Sequence, residues 1–310
     1  MLNIERYPLC HTPLVSYQPD ARRIAMGKVG FVLGGGGKWG AVEVGMLDAL
    51  VAHGIVPDVI VGCSIGAING AAFAAQPDRT GVERLRKFWL DAGNAGMLDT
   101  AISDRIRAVF GRRSHLFNTD QLGSAIAALI EVDAFADLRV PFQCVAASIE
   151  HAAEHWFEGG PLLPALLASC AIPVLFPAVA VDGEHFYDGG LVNSIPIDRA
   201  VQLGATTVYV LQVGRVEAPL QPPRRLHQAG LVAFELARRH RFETFRRGLP
   251  EHLDLHLLPS GNRLAMDDRR QLQWRKLDET EVLIERARSA SYDYLQAIPA
   301  DGQSLPKVDR

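Results

Sequence analysis

Three short stretches carry residues whose types and spacing could do chemistry. In the first, Gly62-Cys63-Ser64-Ile65-Gly66, a serine stands between two glycines, after the apolar run Pro57 to Val61 and before the small-residue stretch Ala67 to Ala75. A G-x-S-x-G turn between strand and helix can expose a serine hydroxyl as a nucleophile. Its glycines leave room for a strained turn, and the following helix aims its positive dipole end at charge developing there. Taken alone, five such residues equally describe a structural glycine turn. The second stretch, Gly34 to Gly40, holds five glycines around Lys38 and Trp39; the third, Asp188-Gly189-Gly190, puts a carboxylate at a turn.

The glycine-rich stretch admits several readings. Gly35, Gly37 and Gly40 fit the dinucleotide pattern G-x-G-x-x-G, but that pattern wants an acidic residue at the end of the next strand. Here Asp58 precedes that strand and Gly62 and Ser64 end it. A phosphate-binding loop would close on Gly-Lys-Ser/Thr, which is missing. Glycine-rich backbone beside a nucleophile has a third use, as N–H donors to the oxyanion of a tetrahedral intermediate, each worth about 3 to 4 kcal/mol.

The elements that must position these stretches read as an α/β chain. Lys28 to Leu33 is a strand, Ala41 to His53 a helix, Pro57 to Val61 a strand and Ala67 to Ala75 a helix. About 30 residues separate the two turns, the length of one parallel βαβ unit, so both should lie side by side at the carboxyl edge of one sheet. Helices are expected at Val82 to Leu90, Thr119 to Ile130 and Pro161 to Ala171, with a strand at Arg139 to Ala147. Val179 to Val181 and Glu184 to Tyr187 form a hairpin around Asp182-Gly183, and Thr206 to Val213 is a buried strand. An Arg-rich helix near Leu226 to Arg247, a strand Leu253 to Leu258 and a helix near Leu272 to Ala297 follow. The expected division is an N-terminal extension 1–27, a catalytic core 28–213, and a part 214–310 that completes the same domain.

Composition narrows the function. A net charge of -3 gives no general pull toward nucleic acid. Cys10, Cys63, Cys144 and Cys170 lack C-x-x-C pairing and neighbouring histidine pairs, which argues against zinc or a disulfide framework. Cys63 reads as a packing residue. The first residues, Met1 to Arg23, have no apolar signal region; a cytoplasmic location is expected, with no cofactor. Gly54 to Ala75 and Pro164 to Val181 approach membrane-spanning hydropathy, but polar residues in the first and prolines in the second make them buried globular elements.

The order and context of the glycine turn, the Gly-Cys-Ser-Ile-Gly elbow and Asp188-Gly189-Gly190 resemble the patatin-like phospholipases of bacterial type. Leu116-Phe117-Asn118, Ala168 to Pro173, Phe176-Pro177 and Asn193 to Pro196 support the resemblance. It implies a three-layer α/β/α fold with a mainly parallel central sheet. It also implies Ser64 as nucleophile, Asp188 as its sole side-chain base, and the backbone of Gly35, Gly36, Gly37 and Lys38 as the oxyanion hole. Gly40, Gly62, Gly66, Gly189 and Gly190 support the motifs. Trp39 stands where the family commonly has Arg or Lys, with Lys38 one step earlier. An α/β-hydrolase triad would instead need a late histidine; His227, His240, His252 and His256 read as surface or helix residues, and His185 as a strand residue.

An ordinary carboxylate with pKa near ~4 is a poor base for a hydroxyl at neutral pH, so burial must raise that of Asp188. The implied substrate is an acyl lipid: phospholipid, lysophospholipid or another carboxylic ester. An acyltransferase using the same acyl-enzyme and a non-catalytic lipid- or nucleotide-binding protein are the alternatives. Ile102, Ile106, Val109 and Phe110, with Arg105, Arg107, Arg112 and Arg113, form a basic amphipathic stretch that could meet anionic lipid at the inner membrane face; an ordinary packed helix with a solvated basic face has the same pattern.

Overall fold

The computed structural model describes residues 27–95, 119–173, 175–213, 222–223, 232, 236, 239–245, 248, 250, 253–261 and 277–298. The amphipathic stretch from Ile102 to Arg113, Leu116 to Asn118, Cys10, His227 and His252 lie outside the described residues, as does most of the Arg-rich stretch, of which 239–245 are helical.

Eight strands form one mixed sheet: β1 (Val29–Leu33), β2 (Val59–Cys63), β3 (Phe142–Ser148), β4 (Ala153–Phe157), β5 (Val179–Val181), β6 (Glu184–Asp188), β7 (Thr207–Leu211) and β8 (Asp254–Leu257). The central row β8-β7-β1-β2-β3 is parallel, while β4, β5 and β6 are antiparallel additions. Parallel strands are covered on both faces, which is why β1, β2 and β7 read as unbroken apolar runs. One face carries Phe31, Leu33, Ile60, Cys144, Phe186 and Leu211; the other carries Val32, Val61, Val208 and Val210.

The first face is covered by α1 (Gly40–Ala52), α2 (Ile65–Ala75), α3 (Arg79–Ala95), α4 (Thr119–Ile130), α5 (Leu162–Ser169) and α7 (Leu277–Ala297). The second is covered by α6 (Ile197–Gln202) and Phe242 of the helical residues 239–245. The expected three-layer α/β/α arrangement is thus present. Residues Gly40 to Leu50 of α1 are all buried, because α7 lies across the side that would otherwise face water.

Several elements differ from expectation. β2 continues through Gly62 and Cys63, since both still pair with β3. β4 was not foreseen: Glu154 and His155 break its apolar pattern, as suits a strand paired on one side only. Neither was α6, a six-residue helix after Pro196. The Asp182-Gly183 hairpin is present, with both residues at positive φ (50° and 88°), the requirement of a tight I′ turn. Pro164 to Val181 folds as part of α5 and the edge strand β5. No helix among the described residues is long and apolar enough to cross a membrane.

Candidate active site

The row of parallel strands reverses its winding at β1, with β2 on one side and β7 on the other. Such a switch point opens a crevice at the carboxyl ends of the strands, and the glycine-rich loop after β1 and Ser64 after β2 both sit there. A third strand brings in the carboxylate. β4 occupies one edge of β3 along Cys144 to Ser148, so β2 and β6 must share the other. β2 pairs with β3 as far as Cys63 opposite Val145, and β6 takes over with Asp188 opposite Ala146. The last residue of β6 therefore arrives at consecutive register with the last residue of β2. Residues 124 positions apart in the sequence become hydrogen-bonded: Ser64 Oγ donates to Asp188 Oδ2 at 2.6 Å.

Ser64 occupies a strained turn, with φ 54° and ψ -126°. A non-glycine residue there costs about 1 to 3 kcal/mol and persists only where surroundings enforce it. Two close approaches do so. A Cβ at Gly66 would lie 2.4 Å from the Leu33 carbonyl oxygen, and one at Gly189 would lie 2.2 Å from that of Val145. Only glycine lets α2 start against the end of β1, and the turn after Asp188 sit against β3.

The segment leaving α5 braces both partners. Ser169, fully buried, accepts from the Ser64 N–H at 2.9 Å and donates its own hydroxyl proton to the Val145 carbonyl at 2.7 Å. Two residues on, the Ala171 carbonyl accepts from the Asp188 N–H at 2.9 Å. Cys170 between them lies beside Asp188, Cys144 and Ser64; burial above all holds its thiol well above the ordinary range. Sequence reasoning missed Ser169, although the run Ala168 to Pro173 was already singled out. Ser169→Ala should leave the Ser64 N–H without its partner inside the protein and lower stability by about 1 to 3 kcal/mol. Urea unfolding would read the loss directly; an unchanged midpoint would remove the brace.

Asp188 is 3% exposed, and burial pushes its carboxyl from 3.8 up to about 6, with the Ser64 and Gly190 hydrogen bonds opposing the shift. The Gly190 N–H donates to Oδ1 at 2.7 Å, which leaves Oδ2 facing the serine. The carboxylate thus stays a hydrogen-bond acceptor while gaining basicity, as the sequence argument required.

The glycine-rich loop divides its N–H groups. Those of Gly34 and Gly35 donate to the carbonyls of Leu211 (3.0 Å) and Ser194 (2.9 Å), so Gly35 serves to anchor the loop. Gly36 and Gly37 open a 3-10 turn, Gly37–Trp39, and the first N–H groups of any helical turn lack partners within it. Gly37 has φ 55° and open space where a side chain would stand.

The histidines lie elsewhere. His256, expected on a surface or helix, is instead a buried residue of the edge strand β8. It pairs with Asp254 (2.9 Å) and Tyr294 (3.2 Å), with β7, β1 and β2 between it and Asp188. His185, on β6 as expected, is held by Glu150 at 2.7 Å. Among the described residues no histidine hydrogen-bonds to Ser64 or Asp188, and no group of three or more His, Cys, Asp or Glu is placed to hold a metal ion.

Residues 31–201 match the patatin-like phospholipase family. The chain belongs to that family. A patatin-like phospholipase domain-containing protein of Caenorhabditis elegans is 32% identical over 213 residues, covering 66% of this chain and 15% of its own length. A lysophospholipase of Aspergillus terreus is 31% identical over 199 residues, 64% of this chain and 12% of its own. The chain therefore spans less than a fifth of the length of these patatin-like relatives. The crystal structure of VipD from Legionella pneumophila aligns with a TM-score of 0.46 at 13% identity, over 87% of this chain and 67% of that one.

Proposed function

We propose that this chain hydrolyses carboxylic ester bonds of acyl lipids through an acyl-enzyme on Ser64, with Asp188 as the base. The observation that carries the reading is the 2.6 Å bond from the Ser64 hydroxyl to a buried carboxylate of raised pKa. The names of its patatin-like relatives support lipid esters as the substrate class.

In the first half-reaction Ser64 Oγ attacks the ester carbonyl carbon while its proton passes to Asp188 Oδ2. The carbonyl electrons move onto oxygen, and the resulting oxyanion is stabilised by the N–H groups of Gly36, Gly37 and Lys38 and by the N-terminal end of α2. Collapse expels the alcohol, which takes the proton from Asp188. Water then gives a proton to Asp188 and attacks the acyl-serine; the proton returns to Oγ as the fatty acid leaves. Asp188 is oriented by Gly190 and needs no imidazole to relay the proton.

A panel of phospholipids, lysophospholipids and a short soluble ester, incubated with the purified chain, should yield free carboxylic acid. A fluorophosphonate probe should attach to the peptide containing Ser64. A folded chain that releases no acid from any of these and takes up no probe would overturn the proposal.

A further inference from the structure

Behind the catalytic crevice a buried polar cluster interrupts an otherwise apolar helix layer. Glu43 of α1 is 0% exposed, and its Oε2 accepts from Asn69 Nδ2 of α2 at 2.7 Å. The same amide nitrogen donates to the Gly40 carbonyl at 2.9 Å, where the glycine-rich loop becomes α1. Asn69 Oδ1 in turn accepts from the Trp89 indole N–H of α3 at 3.1 Å. The indole edge fills the space beside Gly40: a Cβ there would lie 2.5 Å from both Trp89 and Ile65, the residue after Ser64. One side-chain cluster thus joins the loop, the nucleophile's helix and α3.

We propose that Glu43 is a positioning residue, carried as a neutral carboxylic acid, that locks the glycine-rich loop and the Ser64 helix into one unit. The catalytic part of this inference rests on the hydrolase reading above; the protonation part does not. Glu43 Oε1 is buried without a hydrogen-bond partner among the described residues, and no described cation pairs with the carboxyl. An ionised carboxylate in that setting would be an uncompensated buried charge, which proteins avoid by keeping the proton. Burial raises the Glu43 carboxyl well above 4.5, more than Asn69 and the Gly34 N–H lower it.

The charged groups on neighbouring elements have other partners. α2 carries no titratable side chain. Asp48, further along α1, meets Arg79 at 3.6 Å and Arg288 of α7 at 3.1 Å. Arg86 of α3 is bound to Glu281 and Glu285 of α7. Glu43 thus titrates apart from these pairs.

Two measurements test the proposal. A carboxyl whose folded pKa is raised contributes stability that is fully present below its unfolded value and lost as pH rises through the folded one. The thermal midpoint of Glu43→Gln should therefore gain on that of the natural chain as pH rises from the ordinary carboxylate range toward neutral. This comparison needs no substrate, and a constant difference across the range would show Glu43 ionised and overturn the neutral clamp. On a soluble ester, Glu43→Leu should lower kcat about 100-fold with KM little changed, as expected when reacting groups shift by about an ångström, while Glu43→Gln keeps most of kcat. Should Glu43→Leu fail to fold, Trp89→Phe removes the indole donor to Asn69 and should lower kcat by a smaller factor. Full kcat in Glu43→Leu, or in Trp89→Phe where Glu43→Leu does not fold, or a Glu43→Gln variant as impaired as Glu43→Leu, overturns the positioning role. A natural chain that hydrolyses nothing refutes the hydrolase reading itself and leaves the pH comparison to decide the charge state of Glu43.

Discussion

Ser64→Ala is expected to lower ester hydrolysis by a factor of about 10⁴ or more, since without the nucleophile no acyl-enzyme forms and only binding and oxyanion stabilisation remain. The fold should survive. Alanine enters the strained turn (φ 54°) on the same terms as serine, and the Ser64 N–H bond to Ser169 involves backbone that the substitution leaves in place. Ser64→Gly, inactive for the same reason, should be the more stable of the two by about 1 kcal/mol, because only glycine enters that region freely. The pair separates chemistry from strain: equal inactivity with unequal thermal midpoints is the expected result. Fluorophosphonate labelling of Ser64→Ala at the wild-type rate would place the nucleophile elsewhere.

The elbow was legible in the sequence because everything that makes it is local. An apolar run, two glycines about a serine and a small-residue helix all fall between Pro57 and Ala75. Asp188 was legible only through resemblance: its approach to Ser64 depends on β2 and β6 sharing one edge of β3, and nothing near Asp188 announces that pairing. The bracing groups were harder still. Ser169 ends a short helix and looks like any polar residue leaving an apolar run, and its role appears only when Val145 and the Ser64 N–H are seen on either side of it. Glu43 and Asn69 did leave a signal: Asn69 is the one polar side chain of α2, and Glu43 shares α1 only with Asp48 among apolar and small residues. Periodicity reads such a residue as solvent-facing unless α7 and α3 are known to cover it. His256 failed for a related reason, being a polar residue in an edge strand whose outer cover, α7, comes late in the chain.

Asp188→Asn tests the base, and its two expected effects have opposite signs. The amide preserves the side chain's volume but cannot take the serine proton, so hydrolysis should fall by about 10³- to 10⁴-fold, within the range for removing a member of a serine nucleophile's machinery. His185→Ala and His256→Ala should retain most activity, because neither imidazole touches the pair. In the natural chain kcat/KM should rise with pH through about 6 and then level, as Asp188 loses its proton and becomes competent. That limb should be absent from whatever activity the Asp188→Asn variant keeps. Stability runs the other way. A carboxyl raised from 3.8 to about 6 contributes fully to stability below its unfolded value, and that contribution is lost as pH rises through the folded one. Relative to the natural chain, Asp188→Asn should therefore become progressively more stable from acid to neutral pH, by on the order of 3 kcal/mol, less whatever the weaker bond between the amide and Ser64 gives up. The pH that switches the base on is thus the pH at which burying it begins to cost the fold. Calorimetry and initial rates on the same two proteins across that range should show the limbs crossing near one pH. A rate limb that persists in Asp188→Asn, or a stability difference independent of pH, would mean that Asp188 is not the group whose ionisation drives the reaction.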